Sequence, residues 1–256
     1  MDYSPTELMT VNAARLLRDG DVVFVGVGLP NLACNLAQRT HAPHLTMIYE
    51  AGVIGAQPAR LPLSIGDPTL VSGAASICSM YEIFSLYLQR GLIDVGFLGG
   101  AQIDRYANVN ATVIGPYAKP KVRLPGSGGA TEIAAWANRT YFLTPHQKRR
   151  FPATCDFVTG AGFLTGRAAR QATGVRGGGP QAVVTDIGVL EPDETGELVL
   201  VALHPGRTAD EAKANTGWEL KVAAQVRATE PPTAGDLRML REELDPQGIF
   251  LKGGAG

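Results

Sequence analysis

A single carboxylate, Glu50, stands where an apolar stretch of the chain runs out into glycine. Residues 45–49, LTMIY, have strand character, and the turn residues Ala51, Gly52 and Gly55 follow the acid closely. A short apolar run bounded by turn residues is typical of a buried parallel strand, whose carboxyl end is the ligand-binding edge of open α/β sheets. A carboxylate there can act as a nucleophile or a general base. The alternative is a solvated glutamate that simply ends a strand.

Two glycine-rich turns precede predicted helices. GSGGA, at residues 126–130, places Gly126, Gly128 and Gly129 before a helix that starts near Ala130. Backbone N–H groups in such a turn can hold a phosphate, a carboxylate or a transient oxyanion. The loop GVGLP, at residues 26–30, lacks the third glycine of a dinucleotide-binding fingerprint. It therefore predicts a tight strand-to-helix turn near the pocket, with Gly28 in it.

Several polar residues could contact a substrate. The stretch GGAQIDRYANVNAT follows a predicted strand and carries Gln102, Asn108 and Asn110, whose amides suit a carbonyl or carboxylate. For Asn108, turn formation is an equal alternative. The basic triplet at residues 148–150 could meet a phosphate-rich cofactor tail, although a solvated turn is favoured. His204 precedes proline at a strand end, and we interpret it as structural.

The elements that must position these groups alternate between strands and helices. The sequence predicts helices from the Ser4 capping box to Gly20, from the 26–30 loop to about Arg39, from Ser79 to Gly91, and a final one over 235–244. Strands are predicted at 22–25, 45–49, 94–98, 140–143, 156–159, 181–186 and 198–203. Alternation of this kind predicts a mostly parallel sheet with helices on both faces.

Composition narrows the class of protein. The chain has 256 residues, a net charge of −1 and 45% hydrophobic residues, which fits one large α/β domain or two small ones and no polyanionic partner. Cys34, Cys78 and Cys155 are odd in number and lack C-x-x-C spacing, which argues against a disulfide framework and a zinc site. With no signal-peptide pattern and no 18-residue apolar run, we expect a cytoplasmic protein without a membrane partner.

Taken together, the motifs resemble those of the family I coenzyme A (CoA) transferases, with the closer likeness to the B-type (beta) component of glutaconate CoA-transferase. The likeness extends over nearly the whole chain and rests on the following motifs: E-x-G at Glu50, GGAQID-x-Y-x-NVN at 99–110, GSGGA at 126–130, KRRF at 148–151, VVTD at 183–186, NTG at 215–217 and EE-x-DP at 242–246.

The resemblance implies the open, Rossmann-like CoA-transferase fold, similar to that of ribose-phosphate isomerase, with residues 1–256 as one subunit domain. It implies that Glu50 is the nucleophile, attacking an acyl-CoA and passing through a mixed anhydride to a glutamyl-CoA thioester. No metal or other cofactor is expected, since CoA is a substrate. It also implies a second, A-type (alpha) subunit in a heterotetramer or larger assembly.

The remaining site predictions combine the glycine turns and amides described above with this likeness. We expect an oxyanion or CoA-binding role for Gly52, Gly126, Gly128 and Gly129, and a substrate pocket that includes Gln102, Asn110 and Gly28. Ketoacid-specific members carry S-E-N-G where this chain has Tyr49-Glu50-Ala51-Gly52, which favours the glutaconate-like branch and a dicarboxylic or short-chain acid. The alternatives are a CoA-ester hydrolase or carbon–carbon bond-cleaving enzyme on the same fold, and a metabolite-binding protein without activity.

Overall fold

The chain forms two compact units in the computed structural model, which describes residues 2–253. The first unit is built from Met1–Phe97 together with Glu230–Gly256, and the second from Leu98–Thr229. Across the described residues, no helix has the length and apolar character needed to cross a membrane.

The strands are β1 (Val22–Phe24), β2 (Thr46–Ile48), β3 (Val53–Ile54), β4 (Ser76–Ile77), β5 (Val95–Leu98), β6 (Gln102–Ile103), β7 (Val109–Asn110), β8 (Val113–Ile114), β9 (Val122–Arg123), β10 (Arg139–Leu143), β11 (Pro180–Val184), β12 (Gly188–Pro192), β13 (Leu198–Leu203) and β14 (Lys221–Ala228). The α-helices are α1 (Pro5–Ala14), α2 (Leu29–Gln38), α3 (Met80–Glu82), α4 (Ala130–Trp136), α5 (Arg167–Ala172), α6 (Ala209–Ala214), α7 (Ala234–Arg238) and α8 (Ile249–Gly253). A 3₁₀ helix covers Pro68–Val71, and π-helical segments continue α3 over Ile83–Leu88 and α7 over Met239–Leu244.

A parallel core forms the sheet of the first unit. Its strand order is β5-β1-β2-β3-β4, with β1 parallel to both β5 and β2 and with β3 and β4 antiparallel additions. Val23 lies opposite Met47 on one side and Val95 on the other, and all three are buried. Burial on both faces explains why these strands read as continuous apolar runs. Because β1 and β2 are parallel neighbours, the loops that follow them emerge at the same edge of the sheet.

Helix boundaries depart from the sequence-based expectations in three places. Both predicted capping boxes form, Ser4 with Glu7 and Ser79 with Glu82. However, α1 ends at Ala14 rather than Gly20, because residues 15–21 make short-range turns in which the Asp21 carboxylate accepts the Arg18 N–H. The helix after Ser79 changes to π-helical geometry at Ile83 and ends at Leu88, and a further helix, α8, follows the one predicted as final.

The second unit is a mixed sheet with the order β10-β11-β12-β13-β14. Parallel pairs at each side, β10 with β11 and β13 with β14, flank antiparallel β12. The strand predicted at 156–159 does not form, because the Asp156 N–H and carboxylate bond to Gln102 and to the Gly115 N–H instead of a strand partner. The strand predicted at 181–186 stops at Val184, where Thr185 closes a turn onto Gly188.

Candidate functional site

Glu50 lies in a tight turn at the carboxyl end of β2. The Tyr49 N–H donates to the Val53 carbonyl oxygen and the Gly52 N–H donates to the Tyr49 carbonyl oxygen, both at 2.9 Å. These bonds reverse the chain from parallel β2 into antiparallel β3 and leave Glu50 half-buried at the bend. The predicted position of this acid, at the carboxyl end of a buried parallel strand, is confirmed.

The Glu50 carboxylate has no bonding partner in the described part of the chain. Among residues 2–253, its carboxylate makes no hydrogen bond and no ion pair, whereas the first unit's other buried or capping acids are engaged, as Glu7 is by Arg241 and Asp67 by Arg60. A carboxylate without a cationic partner keeps its lone pairs available for attack on a carbonyl carbon. A carboxylate without a partner fits a nucleophile and equally fits the alternative, a solvated glutamate that ends a strand, so the catalytic role of Glu50 stays a prediction.

A series of hydrogen bonds between buried polar side chains holds Tyr49, the residue that precedes Glu50. The Tyr49 ring is fully buried, and its hydroxyl accepts a hydrogen bond from Asn31 Nδ2 at 2.7 Å. Asn31 Oδ1 in turn accepts one from Asn35 Nδ2 at 2.8 Å. Burial raises the pKa of Tyr49, so its hydroxyl stays neutral. The sequence-based predictions missed this support; its signal was two asparagines spaced four apart on the otherwise apolar helix α2.

Gly28 occupies the position expected for it, directly before α2. It has φ of +101°, which a non-glycine residue rarely adopts. Because Gly28 follows β1 and Glu50 follows β2, the two residues lie at the same edge of the first unit's sheet. Its contact with a substrate stays a prediction.

Gly52 is required by a close backbone approach. It has φ of +102°, and a Cβ placed on it would lie 1.8 Å from the Cys78 carbonyl oxygen. The Gly52 carbonyl oxygen accepts hydrogen bonds from the Cys78 N–H at 2.9 Å and from its Sγ at 3.4 Å. The segment between β4 and α3 therefore holds the Glu50 turn in place. This packing accounts for the glycine, and a further role in CoA binding stays a prediction.

The second glycine turn offers unused donors. Gly126 (φ +103°) donates its N–H to the Ala111 carbonyl oxygen, and the Ala130 N–H bonds to the Ser127 carbonyl oxygen, which closes the turn. The N–H groups of Gly128 and Gly129 donate to no other residue in the described range. Gly129 is the N-cap of α4. Free adjacent N–H groups suit an anion, and the role of this turn in holding an oxyanion or CoA stays a prediction.

The amides of Gln102 and Asn110 meet, but mostly serve the fold. Asn110 Nδ2 donates to Gln102 Oε1 at 2.7 Å and to the Val113 carbonyl oxygen at 2.6 Å, which uses both of its hydrogens. Gln102 Nε2 donates one hydrogen to Asp156 at 3.0 Å and keeps the second. In this pair, then, one N–H of Gln102 is left for a substrate, and the pocket role of both residues stays a prediction.

Other polar residues singled out in the sequence have structural roles. Asn108 is buried and bonds Asp104 and the 162–164 backbone, so the turn-forming alternative describes it correctly. Burial raises the pKa of Asp104, although hydrogen bonds from Asn108 oppose this shift. His204 bonds Thr229 and the Thr185 carbonyl oxygen, and burial lowers its pKa. Lys148 and Arg149 lie exposed on a turn, in line with the favoured interpretation.

The predicted site residues divide between the two units. Glu50, Gly52 and Gly28 belong to the first unit, and the second contains Gln102, Asn110, Gly126, Gly128 and Gly129. Glu50 and the predicted site glycines lie on turns next to regular elements, as expected of binding residues on a rigid scaffold, whereas Gln102 and Asn110 are paired residues of β6 and β7.

Comparisons with known proteins agree with these features. A family model described as coenzyme A transferase matches residues 6–215. The chain is 48% identical to the B-type component of 3-oxoadipate CoA-transferase from Pseudomonas knackmussii, over 93% of this chain and 92% of that one. It is 37% identical to the B-type component of glutaconate CoA-transferase from Acidaminococcus fermentans, over 98% and 96% of the two chains.

Solved structures confirm the predicted α/β fold. The crystal structure of the Acidaminococcus fermentans glutaconate CoA-transferase matches with a TM-score of 0.91 at 36% identity, covering 98% of both chains. A decarboxylase, AibA/AibB, matches with a TM-score of 0.84 at 28% identity, also covering 98% of both chains.

Proposed function

Because the chain belongs to the coenzyme A transferase family, we propose that it is the catalytic subunit of an acyl-CoA:carboxylate CoA-transferase that works through Glu50. The observation that carries this assignment is the unpaired, half-buried Glu50 carboxylate in a turn at the carboxyl end of β2. A carboxylate in water is a poor nucleophile, and partial burial removes part of the hydration that weakens it.

The proposed reaction needs no proton donor and conserves the thioester. A Glu50 oxygen attacks the acyl-CoA carbonyl carbon, and the C–S bond breaks to give an acyl–glutamyl anhydride and CoA thiolate. The thiolate then attacks the glutamyl carbonyl carbon and expels the acyl group as a carboxylate, leaving a glutamyl-CoA thioester. An acceptor carboxylate attacks that thioester and releases the thiolate again. The thiolate finally attacks the acceptor's carbonyl carbon, which forms the new acyl-CoA and restores Glu50.

Each addition places negative charge on a carbonyl oxygen. The free N–H groups of Gly128 and Gly129 are the donors that we assign to this charge or to a phosphate of CoA. The reaction requires no metal or redox cofactor, because CoA is itself the group transferred. Gly126, Gly28, Gln102 and Asn110 are assigned to the shape of the substrate and CoA sites.

The substrate that we favour is a short dicarboxylic acid. The two relatives reported above are named for 3-oxoadipate and glutaconate, both of which are dicarboxylates. The Tyr49-Glu50-Ala51-Gly52 turn alone does not exclude an oxo acid, since the relative at 48% identity carries one in its name. Both acids therefore belong in the first acceptor screen.

We also propose that the chain works with a second, A-type subunit, in a heterotetramer or larger assembly. Support comes from the names of its relatives, which are B-type components matched over nearly their full length. We place the enzyme in the cytoplasm, where CoA thioesters are formed and used; the three free cysteines suit a reducing compartment.

A hydrolase, decarboxylase or carbon–carbon bond-cleaving activity is the second candidate, because the fold is shared with a decarboxylase. Dependence on the acceptor separates the candidates. A transferase consumes acyl-CoA continuously only when a carboxylic acid accepts the CoA, whereas water suffices for hydrolysis.

The decisive experiment traps the glutamyl thioester. The assembled enzyme is incubated with acyl-CoA without acceptor, then reduced with borohydride and digested, and mass spectrometry should place the resulting alcohol at Glu50. Glu50→Ala and Glu50→Gln should abolish the adduct and the transfer. Glu82→Gln is the matched control, because glutamine preserves the capping box at Ser79. An adduct on Glu82 or Glu132, or normal transfer by Glu50→Ala, would refute the assignment.

A further inference from the structure

Thr159 is a buried residue of the second unit that the proposed reaction does not use. Its backbone is fixed against β7: the Thr159 N–H donates to the Val109 carbonyl oxygen at 2.8 Å, and the Val109 N–H donates to the Gly160 carbonyl oxygen at 3.0 Å. Val109 and Gly160 form an antiparallel bridge. Thr159 therefore occupies a fixed position from which its remaining polar groups can hold other segments of the unit.

The Thr159 hydroxyl holds the segment to which the second glycine turn, residues 126–130, is bonded at its start. Thr159 Oγ1 accepts the Ala111 N–H at 2.8 Å and lies 2.7 Å from the hydroxyl oxygen of Thr112, so it is hydrogen-bonded to both residues. The Ala111 carbonyl oxygen in turn accepts the Gly126 N–H at 2.9 Å. A single buried hydroxyl is therefore connected to the first residue of the turn through Ala111.

The Thr159 carbonyl oxygen holds the other end of the same turn. Thr131 Oγ1 donates to it at 2.7 Å, and Thr131 lies in the first turn of α4, which begins as the glycine turn ends. The next residue, Gly160, packs on the same helix, because a Cβ added to it would lie 3.2 Å from Ala134 Cβ and 3.3 Å from the Ala130 carbonyl oxygen. This segment therefore fixes α4 as well as the start of the turn.

The middle of the turn is open and carries the two free N–H groups. Those of Gly128 and Gly129 donate to no other residue in the part of the chain that the structure describes. A Cβ added to Gly128 would meet nothing within 4 Å, so packing does not constrain this part of the turn. The direction in which the two N–H groups point therefore depends on the bonds at the ends of the turn.

We propose that Thr159 is a positioning residue for CoA transfer, which aims the N–H groups of Gly128 and Gly129 at the ligand by fastening both ends of the second glycine turn. This inference rests on the function proposed above and adds a residue that acts through others rather than on the substrate. Without the hydroxyl, the Ala111 N–H would lose its acceptor, and the Ala111 carbonyl group that holds Gly126 would be free to shift. A displacement of about 1 Å at a group that stabilises a reacting atom can cost about 10²-fold in rate.

The test removes the two attachments one at a time. Thr159→Val eliminates the hydroxyl and preserves the branched shape, whereas Thr159→Ser keeps the hydroxyl. Thr131→Val removes the bond at the other end of the turn, and because Thr131 is exposed, this variant retains the fold even if Thr159→Val does not. Thr216→Val is the matched control, since the Thr216 hydroxyl is also buried and makes two hydrogen bonds, to the His146 ring and the Ala212 carbonyl oxygen.

Hydrogen exchange and kinetics are measured on the assembled enzyme. Thr159→Val should speed backbone exchange over residues 124–133 by about 10-fold and Thr131→Val by about 3-fold, because a lost hydrogen bond weakens local order. In steady-state assays, Thr159→Val should lower kcat at least about 10-fold if the turn holds the oxyanion, or raise KM for acyl-CoA by as much if it holds a CoA phosphate. Thr159→Ser should restore exchange and kinetics, and Thr216→Val should lower Tm without changing exchange over 124–133, kcat or KM.

Unchanged exchange over 124–133 in both Thr159→Val and Thr131→Val overturns the positioning role. Faster exchange with unaltered kcat and KM also overturns it, because the turn would then move without consequence for the reaction. Failure of Thr159→Ser to restore the kinetics does the same, since the hydroxyl would not be the group responsible. The two hypotheses fail separately: an unaltered complex that transfers no CoA refutes the proposed function, whereas the exchange rates still show whether Thr159 holds the turn.

Discussion

Substituting Gly52 by alanine tests whether the close approach of Cys78 positions Glu50. A Cβ at this position would lie 1.8 Å from the Cys78 carbonyl oxygen, whereas an ordinary contact begins at 3.4 Å. The Glu50 turn or the β4–α3 connection must therefore move by about 1.6 Å. The movement would break or lengthen the hydrogen bond from the Cys78 N–H to the Gly52 carbonyl oxygen.

Two costs add in this variant. An alanine held at φ of +102° costs about 1–3 kcal/mol of strain, and the lost hydrogen bond about 0.5–1.5 kcal/mol. We expect the free energy of unfolding to fall by about 3 kcal/mol, which for a protein of this size lowers Tm by roughly 6–12 °C. Because a misplacement of 1 Å at a reacting group can cost about 10²-fold in rate, kcat should fall by about that factor while KM for acyl-CoA changes little.

The control is Gly20→Ala. Gly20 also has positive φ, +83°, but a Cβ there meets nothing within 4 Å. It should lose only about 1–2 kcal/mol from the backbone conformation and keep full activity. The measurements are thermal unfolding of each chain and steady-state transfer by each assembled enzyme. If Gly52→Ala matches Gly20→Ala in both Tm and kcat, the argument that Cys78 positions the Glu50 turn is wrong.

Two further predictions concern the second unit. If the Gly128 N–H holds the developing oxyanion, Gly128→Val should lower kcat about 10²–10³-fold, whereas a role in holding a CoA phosphate should mainly raise KM for acyl-CoA. The control is Gly206→Val, because Gly206 is another exposed turn glycine with positive φ and open space around its Cα. Unchanged kinetics in Gly128→Val would assign the turn to the fold alone. Burial lowers the pKa of His146 to about 4, so the unfolded chain, with a histidine pKa near 6.5, binds the proton first as pH falls. The stability that the neutral His146 contributes is therefore complete above about pH 6.5 and is lost as pH falls toward 4, by about 2 kcal/mol at pH 5. Urea unfolding at pH 5 and 7.5 should show a smaller difference in the free energy of unfolding for His146→Gln than for the unaltered chain. An equal difference in the two proteins would contradict this assignment.

Local sequence determined the features that depend on neighbouring residues. The capping boxes at Ser4 and Ser79 form as predicted, because a side chain and a backbone N–H three residues apart need no distant partner. Strand Leu198–Leu203 has the predicted bounds, and Glu50 stands at the predicted end of a buried strand. In each case, an uninterrupted apolar run or a spacing of three residues carries the information.

Tertiary structure decided what depends on distant segments. Strands β3 and β4 have two residues each, which is too few for their own sequence to indicate a strand. They form because β3 pairs with β2 on one side and with β4 on the other. The sequence predicts an oxyanion or CoA-binding role for Gly52, whereas the structure shows that a glycine is required there by the close approach of Cys78, twenty-six residues away. Asp156 follows the same rule: it leaves its predicted strand because Gln102, fifty-four residues away, bonds it. Backbone hydrogen bonds go to whichever partners the packed chain brings near, and residue order alone does not specify those partners.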